Sequence, residues 1–146
     1  MEVSGLFQAF IPSMAGMRAE RTRLNVIAMN IANANTFNKD GAYTRRSVVF
    51  QEVLGSVVNG GGASPGSRSG VSAIKVYEDT KSEYPTVFDP GHAAADENGF
   101  YKRPNVNLMF EMVDLAAARR AYGANLATLR ATRTMIRSVL NFIGAR

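Results

Sequence analysis

A chain of 146 residues that is 46% hydrophobic and 20% charged has the make-up of one folded domain, not of a disordered tail. Without cysteine it holds no disulfide, thiolate zinc site or cysteine nucleophile, and one histidine rules out a histidine-rich metal site. The formal charge of +5 comes from 17 Lys and Arg against 12 Asp and Glu, and it is spread unevenly.

The first segment, residues 1–35, carries apolar residues at alternating steps of three and four: Phe7, Phe10, Met14, Met17, Leu24, Ala28 and Ile31, with Arg21 in the same series. That spacing predicts a helix with a heptad seam, and Phe10, Met14, Met17, Leu24 and Ile31 are its candidate partner-helix contacts. Pro12 either kinks this helix or stands near its true start. Asn30, Asn33, Asn35 and Thr36 disfavour its continuation. The chain opens with Glu2 and has no basic residue before Arg18, so a cleaved secretory signal is not expected. No run reaches the roughly 18 apolar residues of a membrane span.

The middle, residues 36–106, holds every proline except Pro12 and balances eight basic against eight acidic residues. Tyr43–Phe50, Val71–Tyr77 and Pro85–Phe88 read as strands from their β-branched and aromatic content. Residues 55–70 contain six glycines and Pro65, which predicts a flexible loop or a loose hairpin tip. Residues 89–99 are rich in turn formers, and Gly99 is expected at positive φ. Pro104 then sets an extended approach to a helix capped by Asn107.

The last segment, residues 107–146, has no proline and only two glycines. Leu108, Met112, Leu115, Tyr122, Leu126, Leu129, Ile136, Leu140 and Ile143, with Arg119 and Arg133 interposed, step four and three throughout. Glu111 and Asp114 lie near the positive end of the helix dipole. At a rise of ~1.5 Å per residue the helix is about 55 Å long. Six arginines against two acids put most of the basic excess here.

The expected fold class is mainly α with a small β-rich middle region, the terminal helices pairing as an antiparallel coiled coil. The domain division is 1–35 and 107–146 for the coiled coil and 36–106 for the middle. Apolar residues off the seams, among them Val26, Ile27, Met109, Phe110, Val113, Met135, Val139 and Phe142, need cover as well. A two-helix seam has little core, so other chains are the expected cover. The methionines and small residues of both helices suit adaptable, close helix packing.

No residue is assigned a catalytic, cofactor-binding or metal role, and no enzyme motif is present. His92 with Asp89, Asp96 and Glu97 has metal-ligand chemistry, but a turn with solvated acids accounts for it as well. Gly60, Gly61 and Gly62 lack the Lys-Ser/Thr of a phosphate loop. The arginines of the last helix suit a basic helical nucleic-acid-binding protein. Against that alternative, Arg119 and Arg133 fall on the predicted seam, where neighbours in an assembly could pair with them.

The stretch MAGMRAERTRLNVIAMNIANANTFNKDG, residues 14–41, resembles the N-terminal signature of flagellar rod and hook proteins, with Asn30, Asn33, Asn35 and Thr36 ending the helix. Residues 88–140 are similar to the C-terminal half of flagellar proximal rod proteins. The specific motifs are DPGHAAADENGFY, with Asp96, Glu97, Asn98 and Gly99; PNVN, with Pro104, Asn105 and Asn107; and EMVDL followed by RRAYGAN. Pro12 and the loop 55–70 depart from the family pattern. The resemblance implies a structural subunit, exported through the flagellar type III apparatus without a cleaved signal. It implies helical assembly into the periplasm-spanning rod of the basal body, which transmits torque. The implied partners are copies of itself, neighbouring proximal and distal rod proteins, the rod-base adaptor and the export apparatus. No cofactor, nucleic acid or small-molecule substrate is implied, and the alternative within the resemblance is another rod or adaptor subunit of the same axial family.

Overall fold

The structure, a computed structural model, describes residues 10–38, 41–53 and 70–144. Among the described residues, two helices stand at the ends, α1 (Phe10–Ala32) and α2 (Leu108–Gly144). Among the same residues, six short strands lie between them: β1 (Phe37–Asn38), β2 (Gly41–Ala42), β3 (Arg46–Val53), β4 (Gly70–Glu78), β5 (Thr86–Phe88) and β6 (Phe100–Lys102). They pair in sequence order into three two-stranded sheets. The class is mainly α with a small β content, as expected. The predicted loop 55–70, with Gly60 to Gly62, lies outside the described residues but for Gly70.

Local chemistry sets the element ends. Pro12 stands third in α1, where a missing N–H takes nothing from the helix ladder. At the other end the Asn33 amide side chain donates to the Met29 carbonyl at 2.8 Å, and the Thr36 N–H turns back onto the Asn33 carbonyl at 3.0 Å. Asn107 caps α2: its Oδ1 accepts from the Met109 and Phe110 N–H groups at 3.0 and 3.3 Å.

β3 begins at Arg46, not at Tyr43. The Tyr43 N–H donates to the Thr36 carbonyl, away from the strand partner, and the Arg45 carbonyl accepts from the N–H of Asp79, just past β4. Antiparallel β5–β6 matches Thr86 with Lys102, Val87 with Tyr101 and Phe88 with Phe100. β6 has three residues, too few to show alternation in sequence. Gly99 closes its turn at φ +80°, and a Cβ there would lie 3.0 Å from Phe88 Cε2 and from Pro90 Cγ.

The chain forms two compact units, and both helices contribute to each. One comprises Arg23–Val49 with Val76–Ala117. Its buried side chains among the described residues are Val26, Ile27, Asn30, Pro104 and Glu111. The described part of the other includes α1 up to Thr22 and α2 from Ala118, where Ser13, Ala19 and Ala118 are buried. Here Gly16 faces Asn125, and a Cβ on Gly16 would stand 2.9 Å from Asn125 Nδ2. Large apolar side chains stay exposed along α2, among them Met109 at 70%, Phe110 at 67% and Phe142 at 74%.

Candidate functional site

Asn30 lies in the last turns of α1 and Glu111 in the first turn of α2. They are the largest fully buried side chains among the described residues. Glu111 Oε1 accepts from Arg45 Nε at 2.7 Å, and Oε2 accepts from Asn30 Nδ2 at 3.1 Å. The Asn30 amide also donates to the Arg46 carbonyl at 2.7 Å, while its Oδ1 accepts from the Arg46 N–H at 2.9 Å and the Tyr43 hydroxyl at 3.1 Å. One side chain thus takes the place of a neighbouring strand for both backbone groups of Arg46. Both amide hydrogens and both lone pairs are used.

The chemistry dictates the residue types. Two donors converge on position 111, and only a carboxylate offers two acceptors without a hydrogen in the way. Its charge is buried, so it needs a cation, and Arg45 supplies one. A second carboxylate, Asp114, lies between Arg23 Nη2 at 3.4 Å and Arg45 Nη2 at 3.7 Å. Asn105 extends the network: its Oδ1 accepts from the Arg45 N–H at 2.7 Å, and its Nδ2 donates to the Asp79 carbonyl at 2.8 Å. Burial pushes the Tyr43 phenol up from its ordinary value, and the Glu111 and Glu78 carboxylates add to this against Arg46. The Ser82 hydroxyl and N–H hold the Asp79 carboxyl below its ordinary value.

Beside this hub, in the same unit, His92 stacks on Tyr101 with ring centroids 4.0 Å apart, and Phe37 meets both rings edge-on. His92 Nδ1 accepts from the Ala94 N–H at 3.1 Å. Asp89 Oδ1 accepts from the Gly91 N–H at 3.1 Å, and Asp96 Oδ1 from the Asn98 and Phe100 N–H groups at 2.9 and 2.8 Å. These acids and the histidine build turns and an aromatic stack, and no group of three or more of them converges on a metal position among the described residues.

The motif residues predicted from sequence divide accordingly. Asn30 and Asn105 meet around Arg45 and Arg46. Asn35 Oδ1 accepts from Arg103 Nη2 at 2.9 Å, and the Thr36 carbonyl holds Tyr43. Asp96, Glu97, Asn98 and Gly99 form the separate turn, and Pro104 is buried. Of the predicted seam, Phe10, Met17, Leu24, Ile31, Leu115, Tyr122, Leu126, Leu129 and Ile136 are half-buried. Met14, Leu108, Met112 and Leu140 are exposed. Sequence reasoning gave Tyr43, Arg45 and Arg46 no role beyond a strand, and gave Glu111 a dipole role and a place in the EMVDL motif but no partner. The available signal was a single acid within the apolar run Leu108–Val113, one turn after a capping asparagine.

The network holds the end of one helix, the entrance of a strand and the start of another helix in fixed register. It brings no nucleophile to a base. The family model described as flagella basal body rod protein matches residues 13–38, and the one described as flagellar basal body rod FlgEFG protein C-terminal matches 97–142. Asn30 lies in the first segment and Glu111 in the second. The flagellar basal-body rod protein FlgC of Agrobacterium fabrum is 37% identical over 136 residues, which cover 90% of each chain. That of Borreliella burgdorferi is 34% identical over 93% of this chain and 96% of its own. That of Salmonella typhimurium is 35% identical over 92% and 96%. With such identity along nearly its whole length, and with Asn30 and Glu111 inside the matched segments, this chain belongs to the FlgC family of flagellar basal-body rod proteins.

Proposed function

We propose that the chain is a structural, non-catalytic axial subunit of the proximal rod of the bacterial flagellar basal body. The flagellar type III apparatus exports it without cleavage of a signal peptide. It then assembles helically and transmits torque across the periplasm. Its partners are further copies of itself, adjoining proximal and distal rod proteins, the rod-base adaptor and, during secretion, the export apparatus. Segments 1–35 and 107–146 form the antiparallel coiled-coil domain, and 36–106 forms a β-rich, partly irregular middle domain.

One observation carries this reading: the disparity between what the chain buries and what it leaves bare. The buried apolar side chains among the described residues are only Ala19, Val26, Ile27, Pro104 and Ala118, whereas Met109, Phe110, Val113, Met135 and Phe142 are each more than 60% exposed on α2. Exposure on that scale marks surface meant for other chains. Antiparallel pairing has support within one unit, where Arg23 reaches Asp114 and the later Asn30 reaches the earlier Glu111.

Leu126→Asp and Leu129→Asp test the assignment, since each replaces an apolar seam contact by a charge with no partner in the seam. Both strains should secrete the protein at normal levels, build no complete rod and fail to swim. Normal swimming by the Leu126→Asp strain would exclude the seam.

A further inference from the structure

Charge is segregated along this chain. From Ala118 to the end there are six arginines and no acid, whereas residues 76–117 hold eight acids against Lys81, Lys102 and Arg103. On α2 the spacing of Arg119, Arg130, Arg133 and Arg137 places all four within a stripe about 60° wide. All four are exposed, and among the described residues none has an ion-pair partner. Arginines three and four residues apart on one face repel each other, and an anionic surface set against the stripe relieves that repulsion. Leu140, 55% exposed, borders it.

The opposite chemistry stands on the β5–β6 hairpin. Phe88 and Phe100 are 62% and 44% exposed, with ring centroids 5.0 Å apart. Around this apolar pair are Asp89, Asp96 and Glu97, all exposed and, among the described residues, without ion-pair partners. Backbone N–H groups hold Asp89 and Asp96 through Oδ1. Each keeps its other carboxylate oxygen for a partner.

We propose that the arginine stripe of α2 in one copy of this chain docks on the acid-rimmed Phe88–Phe100 face of a second copy. Leu140 covers the phenylalanines, and Arg133 and Arg137 pair with Asp89, Asp96 and Glu97. The two surfaces differ, so the contact is head-to-tail and leaves one stripe and one hairpin free at the ends. Such contacts propagate instead of closing as a dimer. The inference rests on the reading of the chain as a rod subunit and adds which faces meet.

The test uses the full chain, whose lack of cysteine allows single cysteines to report position. Thr134→Cys and Asn98→Cys lie beside the two faces and keep every charge. A mixture of the two should form disulfide dimers on mild oxidation at least tenfold faster than either variant alone. A chain carrying both should form a ladder of multimers. Adding Arg133→Glu and Arg137→Glu to the Thr134→Cys chain should abolish cross-linking. Pairing that chain with one carrying Asn98→Cys, Asp89→Lys and Glu97→Lys should restore it to within about threefold, circular dichroism confirming unchanged secondary structure in each. Equal rates for mixed and single variants, or no recovery with reversed charges, would overturn the proposal. So would an Arg133→Glu, Arg137→Glu strain that loses rods while cross-linking persists, since the stripe would then meet a different protein. The rod reading itself fails only if a strain lacking this chain still builds rods.

Discussion

Asn30 and Glu111 are polar side chains in places where apolar ones would bury more surface. What they supply instead is direction. A leucine at position 30 would leave the Arg46 N–H and carbonyl, which now receive 2.9 and 2.7 Å hydrogen bonds, without partners. Unpaired buried groups cost about 1–3 kcal/mol each. Removing one member of the charged pair is worse. We expect Glu111→Ala to destabilise the full chain by about 3 kcal/mol, because Arg45 loses its 2.7 Å acceptor and Asn30 a 3.1 Å one. Asn30→Asp should cost a similar amount, since it sets a second carboxylate beside Glu111 and discards the donors. Urea unfolding of each variant checks both, and midpoints equal to the parent's would show that the network merely decorates the fold.

Between elements, close approach depends on what is missing. Gly16 sits on α1 opposite Asn125 of α2, and any Cβ would crowd the amide to 2.9 Å. Gly16→Val should therefore destabilise by about 1–3 kcal/mol, and Asn125→Ala in the same chain should return much of the loss. A double-mutant cycle with no coupling would place the two residues apart. The approach to α2 is a corner of three parts. Gly99 has φ +80° and is buried, Pro104 is buried, and Asn107 caps. Gly99→Val forces a branched residue into left-handed backbone against Phe88 and Pro90, and Asn107→Leu removes a cap worth about 1 kcal/mol. Both variants should be exported yet stack poorly onto the next rod segment. Basal bodies imaged from each strain decide this, and full-length rods in both would make the corner dispensable.

For the whole molecule, the balance of buried against exposed apolar surface governs behaviour. Helices of 23 and 37 residues that bury so few apolar side chains gain little from their own chain. The full chain in dilute solution should show reduced helix content and a broad melt, both rising with concentration as copies cover each other. Circular dichroism across a hundredfold range of concentration measures it. Full helicity with a sharp, concentration-independent, high-temperature melt would mean that the monomer is self-sufficient.

The two helices, their caps and the turn at Asp96–Gly99 are written locally. A step of three and four, an asparagine ahead of an apolar run, the absence of proline over forty residues and a glycine at a left-handed position each act within a few neighbours. The sequence alone therefore determined where α2 starts, that α1 stops at the asparagines and that the middle is β. It could not show that Asn30 and Glu111, 81 positions apart, share a hydrogen bond. A buried carboxylate has the same local signature as a solvated one. Nor could it show that Glu111, Ala118, Asn125 and Thr132 are buried or half-buried on the same side of α2 as the half-buried Leu115, Tyr122, Leu129 and Ile136, because these four are polar or small. They leave no trace in a hydrophobic pattern, and their selection follows from how closely another helix approaches. That is a property of tertiary structure: partners distant in the chain decide which polar groups lose water, and only their geometry decides which of them regain hydrogen bonds.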